Sequence, residues 1–221
     1  MNEGINTVAL SKQFTNGVTA LNDISITIRQ GEFVALIGRS GSGKSTLMNI
    51  LGGLDHPTTG TVNINGKEVD YKNRIHLIDI RRTQVGFIFQ QFNLIPSLSA
   101  VENVAYPLLF NYCPKEERNE RAIRLLTMVG LSERADHLPH QLSGGEQQRV
   151  AIARAMVGNP GIILADEPTG NLDSKTSAEI YQQMREVNRL RNVTFLIVTH
   201  EREFASYCDR TIELRDGKVV I

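Results

Sequence analysis

The sequence predicts an α/β fold with an N-terminal β-rich part and a helical insertion, and three observations predict it. The apolar run Phe33-Val34-Ala35-Leu36-Ile37 passes through a glycine-rich loop at 38–43 into the apolar Leu47-Met48-Asn49-Ile50-Leu51, which reads as strand, loop, helix. Beyond Pro160 the alternation returns, with a strand at Ile162–Asp166, a helix over about 174–190 and a strand at Thr194–Thr199. Residues 91 to about 158 are patterned as helices instead.

In chain order, Thr7-Val8-Ala9-Leu10 and Ile24-Ser25-Ile26-Thr27-Ile28 read as strands around an Asn16-Gly17 turn, and Gln30-Gly31-Glu32 punctuates before the run at 33–37. The helix after the glycine loop is expected to stop at Gly52-Gly53. Pro57-Thr58-Thr59-Gly60 turns into the alternating Thr61-Val62-Asn63-Ile64, and Asn65-Gly66 is a hairpin signal. Residues 68–84 are polar and mixed and give no assignment; Val85-Gly86-Phe87-Ile88-Phe89 is a buried strand ending at Gln90. Pro114 with Glu116-Glu117 starts a helix whose Ala122, Leu125, Leu126 and Val129 share a face, and Gly130 ends it. A second helix opens at Ser143 and carries Val150, Ile152, Ala153 and Met156; the helix over 174–190 carries Ile180, Met184 and Val187. The chain closes on a hairpin through Asp216-Gly217. One domain accounts for all of it, with 1–90 and 159–221 as the α/β core.

Lysine plus arginine and aspartate plus glutamate both number 24, so no net charge draws the chain to nucleic acid or to an anionic membrane. No apolar run approaches the ~18 residues of a membrane span, so any membrane role is expected to come through a partner. Cys113 and Cys208 lie far apart without a C-x-x-C spacing, and the start has no basic-then-apolar character, which points to a reduced, cytoplasmic protein. His137-Leu138-Pro139-His140 is read as a loop, because Pro139 disfavours a helical ligand face and no third ligand is near.

Gly38-Arg39-Ser40-Gly41-Ser42-Gly43-Lys44-Ser45-Thr46 fits the phosphate loop G-x-x-x-x-G-K-[ST] in pattern and context. Gly41 and Gly43 let successive N–H groups turn inward to phosphate oxygens, and the helix beginning near Lys44 adds its positive end. Lys44 is placed for the β- and γ-phosphates of a nucleoside triphosphate, and the Ser45 hydroxyl for Mg²⁺. The strand Ile162–Asp166 with Glu167 is expected beside the phosphate-loop strand, where Asp166 holds Mg²⁺ and Glu167 polarises the attacking water. Leu142-Ser143-Gly144-Gly145-Glu146-Gln147 contains a capping box, Ser143 with Glu146. Two glycines at a helix start cost roughly 1 kcal/mol each against alanine, and their use is exposed N–H at a positive end. Two such anion sites on one chain suggest a nucleotide shared between two copies.

Taken together these stretches resemble the ABC ATPase family, with 38–45 as the Walker A loop, 162–167 as the Walker B strand and 142–147 as the signature. Gln90 resembles the Q-loop glutamine, Asn171-Leu172-Asp173 the D-loop, His200 the switch histidine, and Phe14 the adenine-stacking aromatic. Arg81-Arg82, the run from Val85 to Pro96 and Asp166-Glu167-Pro168-Thr169-Gly170-Asn171-Leu172-Asp173 are most similar to the lipoprotein-release and macrolide-efflux subfamily, with its cell-division relatives. Arg39 stands where proline is commoner. The resemblance implies a P-loop NTPase fold with an N-terminal antiparallel β-subdomain and an inserted helical signature subdomain at about 91–158. It implies an ATPase using ATP and Mg²⁺, with Lys44, Gln90, Glu167 and His200 as catalytic groups and Ser45, Gln90 and Asp166 at the metal. Nucleotide contacts would come from Phe14, residues 38–46 (Gly38, Arg39, Ser40, Gly41, Ser42, Gly43, Lys44, Ser45, Thr46), Gln90, Ser143, Gly144, Gly145, Glu146, Asp166 and Asp173. The implied partners are a second copy and a separate membrane permease that holds the chain at the inner face of the membrane, with Phe92, Leu94 and Ile95 as an exposed apolar patch towards it. A P-loop kinase would have no use for the signature, and a chromosome-maintenance ATPase would need a long coiled coil that the chain lacks. A mechanical regulator without cargo, as among the cell-division relatives, would use the same residues.

Overall fold

The computed structural model describes residues 3–200 and 202–220. Strands β1 (Glu3–Gln13) and β2 (Thr19–Arg29) are longer than the alternation suggests and pair antiparallel. Then come β3 (Phe33–Ile37), α1 (Lys44–Leu51), β4 (Thr59–Ile64), β5 (Lys67–Glu68), α2 (Arg74–Asp79) and β6 (Val85–Ile88). The helices α3 (Ala100–Ala105), α4 (Lys115–Met128) and α5 (Gly144–Met156) follow, then β7 (Ile162–Asp166), α6 (Ser174–Arg191), β8 (Thr194–Thr199), β9 (Arg210–Arg215) and β10 (Lys218–Val219).

The first sheet has the order β2-β1-β4-β5 and is antiparallel; the second has the order β10-β9-β3-β8-β7-β6 and is parallel except at β10. Parallel strands covered on both faces read as unbroken apolar runs, and the pleat sorts their side chains. Val34, Leu36, Leu164, Leu196 and Val198 face a core shared with α1 and the first sheet. Phe33, Ile163, Phe195 and Ile197 face the other core, built with α3 to α6, where Phe33 and Phe195 meet at 5.1 Å between ring centroids.

One expectation is corrected. The strand carrying Asp166 does not lie beside the phosphate-loop strand, because β8 runs between them and pairs with both. All six residues of β8 are buried, so it takes an inner position with a core on each face. The unassigned stretch 68–84 holds α2, whose N-terminus is capped by Asn73, and a π-turn at Ile80–Gln84. No residue of α2 is buried, so no apolar period marked it. A 3₁₀ turn at Arg202–Tyr207 was also not anticipated. Among the described residues no helix is long and apolar enough to cross a membrane.

Gly86 fixes how closely α5 approaches β6, since a Cβ there would stand 2.2 Å from the Ala155 carbonyl oxygen. Gly86→Ala should push the helix off the sheet and cost about 1–3 kcal/mol, the usual scale of overpacking. A lower urea midpoint at unchanged m is the expected reading, and a parental midpoint would contradict the close contact.

Candidate active site

The end of β3 turns through the glycine loop into α1 against two neighbouring backbones. A Cβ on Gly43 would lie 2.4 Å from the Ala20 carbonyl oxygen of β2, and its φ is 102°, so this position admits only glycine. Gly43 is also the N-cap of α1, and it makes no side-chain cap; the first turn has no acidic residue. The helix end is thus left without an internal anion or acceptor. Lys44 Nζ donates to the carbonyls of Gly38 and Arg39, at 2.7 and 3.0 Å, and forms no ion pair among the described residues. Ser42 Oγ is buried without a hydrogen-bond partner. Open N–H groups, an unneutralised ammonium and an orphaned hydroxyl are the donor set of a phosphate site.

Asp166 closes β7 half-buried. Burial pushes its carboxyl up from the usual aspartate value, the charge of Glu167 adds to the rise, and the Lys44 ammonium opposes it. Glu167 takes φ 43°, a left-handed conformation that costs a non-glycine residue about 1–3 kcal/mol. Its N–H bonds to the Val198 carbonyl at 2.9 Å, its own carbonyl accepts from Gly170 N–H at 3.0 Å, and its Oε1 lies 3.1 Å from His200 Nδ1. Glu167 and His200 line one cavity of about 470 Å³ with Phe14, Lys44, Ser45 and Thr46. A second cavity of about 490 Å³ adjoins it through Ser40, Gly41 and His200 and includes Gly38, Arg39 and Ser42. Phe14 is 41% exposed, enough to offer a ring face, with Lys12 Nζ 5.4 Å from its centroid.

The Ser143 stretch forms a site of its own. Ser143 and Glu146 close the predicted capping box at 3.3 and 2.8 Å. That bond from the Ser143 backbone, with Arg134 beside it, holds the Glu146 carboxyl below its ordinary value. A cavity of about 530 Å³ here takes in Ser143, Gly144, Gly145, Glu146 and Asp173, and shares no lining residue with the two cavities at the phosphate loop. Asp173 caps α6, accepting from Thr176 Oγ1 at 2.6 Å and from the backbone of Lys175 and Thr176. It therefore stands with Gly144 and Gly145 and not with Lys44.

Gln90 lies outside the phosphate-loop cavities. Its Nε2 is 2.7 Å from where a Cβ of Gly170 would stand, and its carbonyl accepts from Asn171 Nδ2 at 2.9 Å. The expected exposed patch is corrected: Phe92, Leu94 and Ile95 are half-buried, because the chain turns at Phe92 and Asn93 and packs Leu94 onto the helical core. Exposed apolar side chains do occur nearby in sequence, at Tyr106, Leu109, Phe110 and Tyr112 in the turns after α3. Sequence reading missed Lys12, which is buried with Nζ 2.6 Å from Asp55 Oδ1 and 2.7 Å from the His56 carbonyl. The signal was present, since alternation in β1 puts Lys12 on the inward face with Leu10.

A profile of the ABC transporter family matches residues 21–170, more than half of the chain. The chain belongs to the ABC transporter family. It is 51% identical over 206 residues to the ABC transporter ATP-binding protein MJ0796 of Methanocaldococcus jannaschii, covering 91% of this chain and 88% of that one. It is 49% identical over 203 residues to the macrolide export ATP-binding/permease protein MacB of Burkholderia pseudomallei; these cover 92% of this chain but only 31% of MacB. A dimeric structure of the MJ0796 cassette in a post-hydrolysis state, bound to ADP and Pi, superposes with a TM-score of 0.88 at 46% identity, covering 98% of this chain and 97% of that one. CbiO1 from Clostridium perfringens, part of the ABC transporter complex CbiONQ, gives 0.93 at 29% identity over 100% and 88%. The P-loop ABC fold, the ATPase activity and the use of ATP with Mg²⁺ follow from the family.

The electrostatics of this ATPase without nucleotide carry a testable consequence. A carboxyl whose folded pKa is raised supports the fold fully at low pH and loses that support as pH rises through the raised value. Asp166→Asn removes the buried charge, so its melting temperature should exceed the parent's at neutral pH in the absence of nucleotide. The difference should close on acidification below about 4, where the parent carboxyl is protonated in both states. Thermal melts across pH test this, and a variant less stable than the parent at pH 7 would contradict it.

Proposed function

We propose that this chain pairs with a second copy around two ATP molecules and drives a membrane permease from the cytoplasmic face, in efflux of the macrolide or peptide type or in lipoprotein extraction. The observation that carries the reading is the separation of two surfaces on one chain. Lys44, Ser45, Glu167 and His200 line one, with Asp166 within reach of the charges of Lys44 and Glu167, and Ser143, Gly144 and Gly145 line the other, which supports reading each as half of a site. Residues about 91–158 would form the helical subdomain that brings the second half to the partner copy. A groove of about 270 Å³ lined by Arg81, Arg82, Phe89, Pro107 and Arg154, beside exposed Phe110 and Tyr112, offers the permease a basic and apolar seat.

In hydrolysis, Glu167 would accept a hydrogen bond from the attacking water and draw off its proton as the oxygen adds to the γ-phosphorus. The bond from phosphorus to the bridging oxygen breaks in line, and its electron pair leaves on ADP. His200, at 3.1 Å from Glu167, fixes that carboxylate, and Lys44 with the loop N–H groups meets charge on the transferred group. The Ser45 hydroxyl and the Asp166 carboxylate, hard oxygen donors, are the groups that would hold Mg²⁺, which would supply charge neutralisation for the phosphates. Phe14 would stack on the adenine.

Glu167→Gln keeps size and hydrogen-bonding reach but cannot take the proton, so turnover should fall by about 10²-fold or more while ATP binding survives. Loss of one negative charge near the γ-phosphate should also favour the closed pair. The variant is expected to elute as a dimer with ATP and a monomer with ADP, and the parent with Mg-ATP mainly as a monomer. Parental turnover in the variant would remove Glu167 from the mechanism. An inactive variant that never dimerises with ATP would remove the sandwich.

A further inference from the structure

Lys12 is charged, buried and unused by the chemistry above, and it stands beside the ring proposed to take the base. Alternation along β1 turns it inward with Leu10, and only 7% of its side chain is exposed. Its Nζ donates to Asp55 Oδ1 at 2.6 Å and to the His56 carbonyl at 2.7 Å. A further neighbour of this ammonium is the Phe14 ring, with the nitrogen over the ring at 5.4 Å from its centroid. Burial would raise the Asp55 carboxyl, but the bonds from Lys12 and from His56 N–H, with the charge of Lys12, hold it below its ordinary value, so the pair is ionised at neutral pH. A methionine or leucine would fill the same space without the desolvation cost of two ions, so packing alone does not call for a charge here.

Phe14 has little else to hold its ring. Residues 13–19 are all exposed. Its backbone is tied in a turn, since Phe14 N–H bonds to the Val18 carbonyl and its own carbonyl accepts from Gly17 N–H, both at 2.9 Å. Those bonds fix the main chain and leave the ring to its contacts, and a cation against a π face is drawn to the ring's negative centre. The ring lines one cavity with Lys44, Ser45 and Thr46. Asp55 N–H bonds in turn to the Asn49 carbonyl at 3.2 Å, within α1, the helix that starts at Lys44. Lys12 therefore joins the ring to the far end of the helix that carries the phosphate loop.

We infer that Lys12 is a positioning residue for the adenine base: its ammonium backs the Phe14 ring and, through Asp55, ties that ring to α1, so that the base platform and the phosphate loop share one frame. The inference rests on the reading of Phe14 as the adenine platform. A lysine that only joined β1 to α1 would matter for stability. One that positions the base matters for affinity towards ATP and not towards a triphosphate without a base.

ATP and inorganic tripolyphosphate, each titrated into the full chain, separate the two, with steady-state turnover measured alongside. Lys12→Met keeps the stem and removes the charge. Its Kd and KM for ATP should rise about three- to thirtyfold, the worth of a cation over a ring, while kcat at saturating ATP and the Kd for tripolyphosphate stay parental. Lys12→Arg, which keeps a cation able to stack on the ring, should retain most of the ATP affinity. Phe14→Leu should weaken ATP binding in the same way, and adding Lys12→Met to it should cost little more. Should Lys12→Met fail to fold, Lys12→Gln, neutral but still a hydrogen-bond donor, takes its place with the same expectations. Parental ATP affinity in the neutral variant, equal weakening towards ATP and tripolyphosphate, no rescue by arginine, or losses that multiply with Phe14→Leu would overturn the inference alone. A Phe14→Leu protein that binds ATP as the parent does would overturn the platform reading and the inference with it.

Discussion

The structure depends on an ammonium left without a counter-ion. Lys44 is buried at the mouth of α1 and is held by two loop carbonyls, beside a helix end that has neither cap nor acid. A carboxylate on the adjacent strand would neutralise it and close the site from within. The sheet order prevents this, because β8 separates β3 from β7 and sets Asp166 two strand spacings away, about 9–10 Å between strand axes. Burial in turn makes Asp166 resist ionising. The site thus has a cation in want of an anion and an acid in want of a cation. Neither is resolved inside the protein, and the apolar cores on both faces of the sheet offset the cost.

The same sheet distributes the chemistry. In a parallel sheet all strands end on one edge, and β3, β7 and β8 deliver the phosphate loop, Asp166–Glu167 and His200 there. The left-handed turn at Glu167 brings its carboxylate back to His200 at the end of β8, held by a main-chain bond to Val198. On the opposite face α5 lies so close to β6 that only glycine fits at 86, and its two ends grip the chain that leaves β6. Strain at Glu167 and at Phe92–Asn93 is therefore located where the sheet hands its residues to the site.

What could be read from the sequence was what local chemistry dictates. The strand at 33–37, the loop at 38–43, the Ser143–Glu146 box and the Gly130 stop lie where pattern and capping place them. Strand order was not legible, because Ile162–Asp166 and Thr194–Thr199 are equally apolar and nothing local says which is inner. The exposure of Phe92 was misread for a related reason. Its burial follows from a turn made by non-glycine residues, which carries no composition signal. The bonds from Arg154 to the Phe92 and Asn93 carbonyls were not legible either, since main-chain acceptors about sixty residues away could be supplied by any residue type. Family resemblance implies a role for Gln90, while its place beside Gly170 is set by the fold and by no local pattern.

The two helix ends differ in a way that bears on the order of assembly. At α1 the first turn holds no acid and Gly43 gives no cap, so its N–H groups and dipole are open to an anion at once. At α5 Ser143 and Glu146 already satisfy each other's backbone, and Glu146 sets a carboxylate against the positive end, balanced by Arg134. The N–H groups of Gly144 and Gly145 remain for a ligand, in a field that is weaker and partly neutralised. An anion should therefore settle first at Lys44 and meet the second helix end only when another copy brings it. A chain whose two ends were equally open would gather separate anions on each surface and lose the reason to pair. On the proposed reading, the capping box at α5 would be more than a helix start: it would keep that half-site from filling on its own.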